Sequence, residues 1–362
     1  MGKPIVIAFY LPQFHSIPEN DEWWGKGFTE WTNVKNAKPL FKGHYQPRVP
    51  TELGYYDLTS SKVREEQAKL AHEAGITGFC YWHYWFGNGK RLLGEIFDDV
   101  IRLKTPDFPL CLGWANHSWY MKTWDKNGTD KLLVEQVYGG EEDYIRHFNY
   151  ALKAFKDERY MKIEGKPIFF IYDAMAVPND FLRVWEKISR NNGFEGICFI
   201  GRIKSNDEYE KVLSKGFSYI TCERINNIQT SKCTLNRRIS QCLHLLKGQP
   251  ANCYSYSKAY PFFINKEIDF KPNFIPTIIP NWDHSPRSGN KGFILHGSTP
   301  HLFRKHIKQV FHILHDRPTK DQIVFLKSWN EWAEGNYMEP DSRWGKQYIE
   351  VLREELDLYV HS

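Results

Sequence analysis

Short apolar runs recur along the chain. Each is closed by polar or aromatic residues and followed by an amphipathic stretch. The runs are Ile5–Tyr10, Ile76–Trp82, Leu110–Ala115, Pro167–Tyr172, Gly196–Ile200, Tyr219–Cys222, Phe274–Ile279 and Ile323–Lys327. Runs this short and this continuously apolar read as strands buried on both faces, the pattern of a parallel sheet. Helices are expected over about 61–74, 92–103, 141–156, 178–192, 206–214, 300–315 and 342–358. The first is opened by Ser60 or Ser61 and stopped by Gly75; Gly193 stops the fourth. Strands alternating with helices imply right-handed crossovers, and eight such units imply a closed (β/α)8 (TIM) barrel. An open doubly wound sheet lacks its signatures: no GxGxxG follows the first strand and no P-loop occurs. One barrel domain over 1–362 is the expectation.

Two segments break the alternation. Residues 12–58 read as a long loop rich in aromatics, with Trp23, Trp24, Phe28, Glu30, Trp31, His44 and Tyr45. Loops this long are functional or disordered, and this one is too aromatic for disorder. Residues 224–272 read as a second long loop or insertion, with a helix near 234–247 and scattered tyrosines.

In a (β/α)8 barrel the site lies at the carboxyl ends of the strands. The residues after the apolar runs should then be chemically rich and those before them plain. The ends carry Tyr10, Gln13 and His15; His83 and Tyr84; Trp114 and Asn116; Tyr172 and Asp173; Arg202; Glu223; Trp282, Asp283 and His284; and Glu331 with Glu334. The entries, Gly75, Pro106-Asp107, Gly165-Lys166, Glu195 and Lys271-Pro272, read as turns.

The last strand end is the richest. After Phe325-Leu326 come Trp329-Asn330-Glu331-Trp332-Ala333-Glu334. Carboxylates among indoles at a buried strand end are costly, because desolvation raises their pKa; chains keep such groups chiefly where a proton must move near neutral pH. Two carboxylates are what glycoside cleavage needs, one to protonate the leaving oxygen and one to drive departure. Glu331 and Glu334 are therefore the expected catalytic pair, in preference to a solvated surface turn. Their spacing of three is compatible with a retaining separation. Trp329, Asn330 and Trp332 would flank the substrate. Trp23, Trp24 and Trp31 either stack on sugar or pin the long loop, and Glu30 either binds sugar hydroxyls or makes an ion pair. Asp283 is a substrate contact or a loop anchor, and His83 is either a core histidine or a site residue.

Composition tilts the same way. Among 362 residues, 13 Trp, 20 Tyr and 24 Phe make an aromatic fraction of 16%, and aromatic faces suit sugar rings as well as cores. A net charge of +5 without a basic stripe argues against a nucleic-acid partner. Seven cysteines without CxxC or Cys/His spacing predict no metal and no cofactor, and thiols in a reducing, cytoplasmic setting. No signal peptide and no run long enough to span a membrane is read. Two sequons, at 116–118 and 127–129, carry no weight without export.

The chain resembles the WbsX-type proteins, often labelled glycosyltransferases of O-antigen and capsule clusters and related to glycoside hydrolase family 99, the endo-α-mannosidases and mannanases. The resemblance rests on Tyr10-Leu11-Pro12-Gln13-Phe14-His15, Trp23-Trp24-Gly25-Lys26-Gly27-Phe28-Thr29-Glu30-Trp31, His44-Tyr45-Gln46-Pro47, His83-Tyr84-Trp85-Phe86, Trp114-Ala115-Asn116 and Trp329-Asn330-Glu331-Trp332-Ala333-Glu334. It implies a metal-free retaining (β/α)8 enzyme acting on an α-linked oligo- or polysaccharide. Glu331 would deprotonate the sugar 2-hydroxyl to give a 1,2-anhydro sugar, and Glu334 would act as acid and then as base for water. Tyr84, Trp114 and Asn116 would line the cleft. His117 stands where the resemblance leads one to expect an acid. The alternative is a glycosyltransferase of surface-polysaccharide assembly.

Overall fold

The computed structural model describes residues 2–121, 130–231 and 234–361; Trp124, Asp125, the 127–129 sequon and Cys233 lie outside them. The chain folds as a (β/α)8 barrel. Its strands are β1 (Ile5–Tyr10), β2 (Gly78–Gly87), β3 (Leu110–Trp114), β4 (Lys166–Ile171), β5 (Cys198–Arg202), β6 (Tyr219–Thr221), β7 (Thr277–Ile278) and β8 (Ile323–Leu326). They hydrogen-bond in the order β6-β5-β4-β3-β2-β1-β8-β7, so sequence neighbours are sheet neighbours, as right-handed βαβ units require. The main helices are α1 (Ser61–Glu73), α2 (Glu95–Leu103), α3 (Glu141–Phe155), α4 (Asn179–Asn191), α5 (Tyr209–Ser214), α6 (Thr234–Leu246), α7 (Pro300–Leu314) and α8 (Gln347–His361). Two compact units are distinguished, residues 1–79 with 223–362, and residues 80–222.

In the first unit β1 and β8 run parallel, with Ile5 opposite Ile323 and Ala8 opposite Leu326. Their buried residues interlock, Phe9 stacking on Phe325 at 4.9 Å. α7 starts at Pro300, whose missing N–H costs nothing there, and Thr299 caps it by accepting from the Leu302 amide. The 12–58 segment is not a plain loop: it contains helices Pro18–Trp24 and Glu30–Asn36. Seven residues are too few to display a 3.6-residue period, which explains why the pattern misses them. Packing holds the second in place, with Trp31 set among Phe14, Tyr56 and Trp332. The 224–272 segment forms α6 and a small core of its own, in which Ile225, Tyr254, Tyr256 and Phe263 meet Ile279 and Leu295. A three-stranded sheet of Cys253–Ser255, Ile294–His296 and Trp282–Asp283 belongs to it. Its two- and three-residue strands leave no alternation to read.

In the second unit β3, β4, β5 and β6 pair in parallel. Cys80, Cys111, Cys198 and Cys222 are buried free thiols, packed as small hydrophobes. The core centres on Trp185 of α4, which has no exposed surface. Its ring lies 4.5 Å from Phe169, 4.8 Å from Phe181 and 4.9 Å from His147, and its Nε1 donates to the Tyr144 carbonyl at 3.1 Å. Trp185→Ala should therefore lower stability by about 3–5 kcal/mol in equilibrium urea unfolding. Trp24→Ala, at a half-exposed ring, should cost under about 1 kcal/mol. Similar losses for the two would refute this packing.

Candidate active site

Beyond β8 the chain makes a tight return. Asn330–Glu331 pairs antiparallel with Asn336–Tyr337, and Trp332–Glu334 forms the turn between them. Gly335 closes the turn at φ +66°, where a Cβ would lie 2.8 Å from the Asp283 Cβ and 2.9 Å from its backbone nitrogen. Only glycine fits that place. Asn330 clamps the chain to Leu11. Its Oδ1 accepts from the Leu11 amide at 2.7 Å and its Nδ2 donates to the Leu11 carbonyl at 3.0 Å. Trp332 is fully buried, stacks on Tyr337 at 3.8 Å and donates Nε1 to Glu339 at 2.6 Å. Glu339 also accepts from Tyr56 at 2.9 Å and Gln67 at 2.6 Å, and burial pushes its carboxyl up to about 7.

This frame delivers Glu331 and Glu334 to one guanidinium. Arg287 Nη1 donates to Glu334 Oε1 at 2.6 Å and lies 3.9 Å from Glu331 Oε1. Its Nη2 and Nε donate to Glu30 Oε2 at 2.9 and 3.2 Å. Because both catalytic-candidate oxygens lean on one nitrogen, their gap cannot exceed about 6.5 Å, the lower edge of the inverting range and just above the retaining one. Glu331 is 7% exposed, and its Oε2 is buried without a hydrogen-bond partner. Desolvation, reinforced by the Glu334 charge, pushes it up to about 8. Burial also raises Glu334, but Arg287, His284 at 3.8 Å and Lys327 outweigh it and hold that carboxyl below its usual value. The proton is therefore favoured on Glu331 and the negative charge on Glu334. Two like residues with opposite protonation are the pattern of an acid–base pair.

The residues around the pair are largely anchors. Asp283 is buried. It accepts from His44 at 2.9 Å, Gln46 at 2.7 Å and the Ser285 amide at 3.0 Å. Burial raises its pKa, but the His44 hydrogen bond and the Arg48 charge take it down to about 2. These bonds tie the loop of His44 and Gln46 to the segment after Trp282. Trp282 is half-buried under the Lys327 ammonium, 5.5 Å from the ring centre, and Lys327 lies 3.2 Å from the buried Glu223. A solvent-open hollow of about 710 Å³ is bordered by Asp283 and by Tyr45, Arg48, His296, Trp344 and Tyr348.

Other expected site residues are spent inside the fold. Tyr10 is buried and donates to Gln67 at 2.7 Å. Trp31 donates to the Tyr56 carbonyl at 2.7 Å. Trp329 is buried against Phe79. Trp24 is exposed and rests on Phe28. From the aromatic loop, Glu30 reaches the carboxylate cluster through Arg287.

In the second unit His83 is a core histidine. It lies 2.8 Å from His147, stacks on Tyr150, and is lowered to about 3 by burial and then by Arg91. Tyr84 packs edge-on against Trp119. Trp114 donates to the Trp85 carbonyl at 2.8 Å. Asn116 donates to Tyr138 and the Asp173 carbonyl, both at 2.9 Å. Tyr172 is half-buried beneath Arg202, 4.2 Å from its ring centre.

Sequence reasoning missed Arg287, Lys327 and Glu339. Three acids converging at strand ends demand a nearby cation, and Arg287 follows the Trp282-Asp283-His284 strand end closely enough to have been considered. Lys327 closes an apolar strand, where a charge is seldom idle. Glu339 gave no signal.

The family model described as "Glycosyltransferase WbsX" matches residues 6–352. Two proteins named WxcX, described as uncharacterized, from two strains of Xanthomonas campestris pv. campestris, are each 33% identical over 368 residues. The match takes in 97% of this chain and 49% of each of theirs, so the chain spans about half the length of these curated relatives. A glycoside hydrolase-like protein of known structure superposes with a TM-score of 0.59 at 18% identity, over 98% of this chain and 94% of that one. The GH99 endo-alpha-mannosidase from Bacteroides thetaiotaomicron does so at 0.54 and 14%, over 99% and 98%. At these identities the likeness is one of fold.

The raised Glu331 and Glu339 carboxyls make a test of stability. A folded-state pKa above the unfolded one contributes stability that is present below about pH 4.5 and is lost as pH rises through about 7 to 8. Glu331→Gln removes one such ionisation. It should match wild type at pH 5 and exceed it at pH 9 by on the order of 2 kcal/mol in urea unfolding. A pH-independent offset would contradict the assignment.

Proposed function

The chain belongs to the WbsX glycosyltransferase family, and from that premise we propose that it is a retaining glycoside hydrolase acting on an α-linked polysaccharide, mannan- or O-antigen-like, with residues 1–362 as one catalytic domain. The observation that carries this reading is the Glu331–Glu334 pair. The two share one guanidinium, within retaining reach, with the proton favoured on one and the charge on the other. A transferase using a nucleotide sugar is the second reading, favoured by the family's description. The barrel fold, shared with glycoside hydrolases of known structure, supports the first. Buried free thiols support a cytoplasmic setting.

In the proposed mechanism Glu331 takes the proton of the sugar 2-hydroxyl. The 2-oxygen attacks the anomeric carbon, and Glu334 protonates the departing oxygen. Water, giving its proton to Glu334, then attacks the anomeric carbon and breaks its bond to the 2-oxygen, to which Glu331 returns the proton it took. These roles invert the protonation that burial and Arg287 favour. The proposal is that substrate makes the exchange: a hydroxyl donating to Glu331 favours its charged form, and a glycosidic oxygen accepting from Glu334 favours its protonated form. Glu30 holds Arg287, and the half-buried Trp282 ring is offered to a sugar face.

Glu331→Gln and Glu334→Gln should each slow hydrolysis of an α-linked polysaccharide by about 10²-fold or more, with NMR recording the anomeric configuration of the first product as retained. On an aryl glycoside with an activated leaving group, Glu334→Gln should recover most of its rate and Glu331→Gln should not. Recovery by Glu331→Gln instead would reverse the two roles. Full activity in both variants would end the mechanism. Release of nucleotide from a sugar donor, with no hydrolysis, would move the protein to the second reading.

A further inference from the structure

Helix α6 is built the wrong way round for water. At about 100° per residue, Ile239, Leu243 and Leu246 fall on one side, while Gln241 and His244 fall on the other. The polar side faces the protein. Gln241 Nε2 donates to Asn252 Oδ1 at 3.2 Å, His244 Nδ1 lies 3.3 Å from the Ala251 carbonyl oxygen, and the His244 ring meets Tyr254 edge-on. The apolar side faces solvent: Ile239 is 50% exposed, Leu243 49% and Leu246 83%. Leu245, about a third of a turn round from this stripe, is exposed too, at 62%. A surface helix ordinarily does the reverse, because each exposed aliphatic side chain forgoes the gain from burial.

The charge around this stripe is one-sided. No aspartate or glutamate lies between Glu223 and Glu267, whereas Arg237, Arg238, Lys247, Lys258 and Lys266 do, all exposed. Arg238 and Lys247 flank the stripe on opposite sides, each about a quarter turn away. Of the acids that follow, Glu267 is exposed beside Lys266 but lies outside α6, and Asp269 is buried on Arg224 at 2.6 Å.

We propose that α6 docks this chain onto an anionic lipid bilayer, its aliphatic stripe seated among the acyl chains and its flanking arginines and lysines on the headgroups. An exposed aliphatic face rimmed by basic residues is the composition of an interfacial helix, and an anionic surface is its charge complement. A second copy of the chain fits less well. Two-fold pairing of this face would set Arg and Lys against the same residues. Its few aliphatic side chains also fall well short of the roughly 800 Å² per partner of a stable interface. With 13 residues, α6 is too short to cross the roughly 30 Å hydrocarbon core, so it lies on the surface.

The test is co-sedimentation of the full chain with vesicles of phosphatidylcholine alone or mixed equally with phosphatidylglycerol. Binding should be at least about tenfold stronger to the mixed vesicles and should weaken with added salt. Leu243→Gln with Leu246→Gln, and separately Arg238→Glu with Lys247→Glu, should each weaken it at least about tenfold. Near-UV circular dichroism should stay unchanged, since all four residues face water. No preference for the anionic vesicles, or unchanged binding by the leucine pair, would overturn the proposal. Self-association in analytical ultracentrifugation that the leucine pair abolishes, without vesicle binding, would give this face to a second copy instead.

Discussion

Arg287 is the residue on which the candidate site depends. Its guanidinium stands among Glu30, Glu331 and Glu334. Without it three carboxylates would face one another in a poorly solvated corner. The fork geometry matters as much as the charge, because separate nitrogens serve Glu30 and Glu334 at once, which a lysine ammonium would do less well. One cation thus tethers the aromatic loop of residues 12–58 to the turn beyond β8. It also makes the two glutamates unequal, since it is in direct contact with Glu334 but stands off from Glu331.

The frame behind that turn is rigid by construction. Asn330 grips both polar groups of Leu11, Trp332 is pressed onto Tyr337, and Glu339 collects three donors. Gly335 sits against Asp283 with no room for a side chain. Burying Glu331 and Glu339 weakens the fold at neutral pH, a cost that a purely structural turn would have no reason to bear. Asp283, Asn330 and Trp332 fix positions through bonds inside the protein, while Glu331 retains an unsatisfied oxygen.

Much of this was legible in the sequence. Buried parallel strands are continuous apolar runs, and all eight fell within a few residues of their expected places. The helices with a wide apolar face, such as α3 and α7, were equally plain. The elements that escaped are those whose stability is tertiary: the seven-residue helix Glu30–Asn36, held by Trp31, and the two-residue strand Trp282–Asp283, held by its neighbours. At the candidate site, the sequence marks the two glutamates by their indole company, and the structure brings both to one guanidinium. The roles of their neighbours are not marked, because an indole or amide that binds sugar and one that binds a backbone carbonyl look alike in one dimension. Asn116, Asn330 and Trp114 all make hydrogen bonds inside the protein. Arg287 was hidden for another reason: its partners lie 257 and 47 residues away along the chain.

The Asn330 clamp also bears on synthesis. It joins positions separated by 319 residues, and β8 reaches its place only by lying down beside β1. At translation rates of roughly 5–20 residues per second, the first strand waits tens of seconds on the ribosome before the turn bearing Glu331 and Glu334 emerges. The turn that carries Glu331 and Glu334 is thus among the last parts of the barrel to take its place, and a chain broken off before β8 lacks both carboxylates.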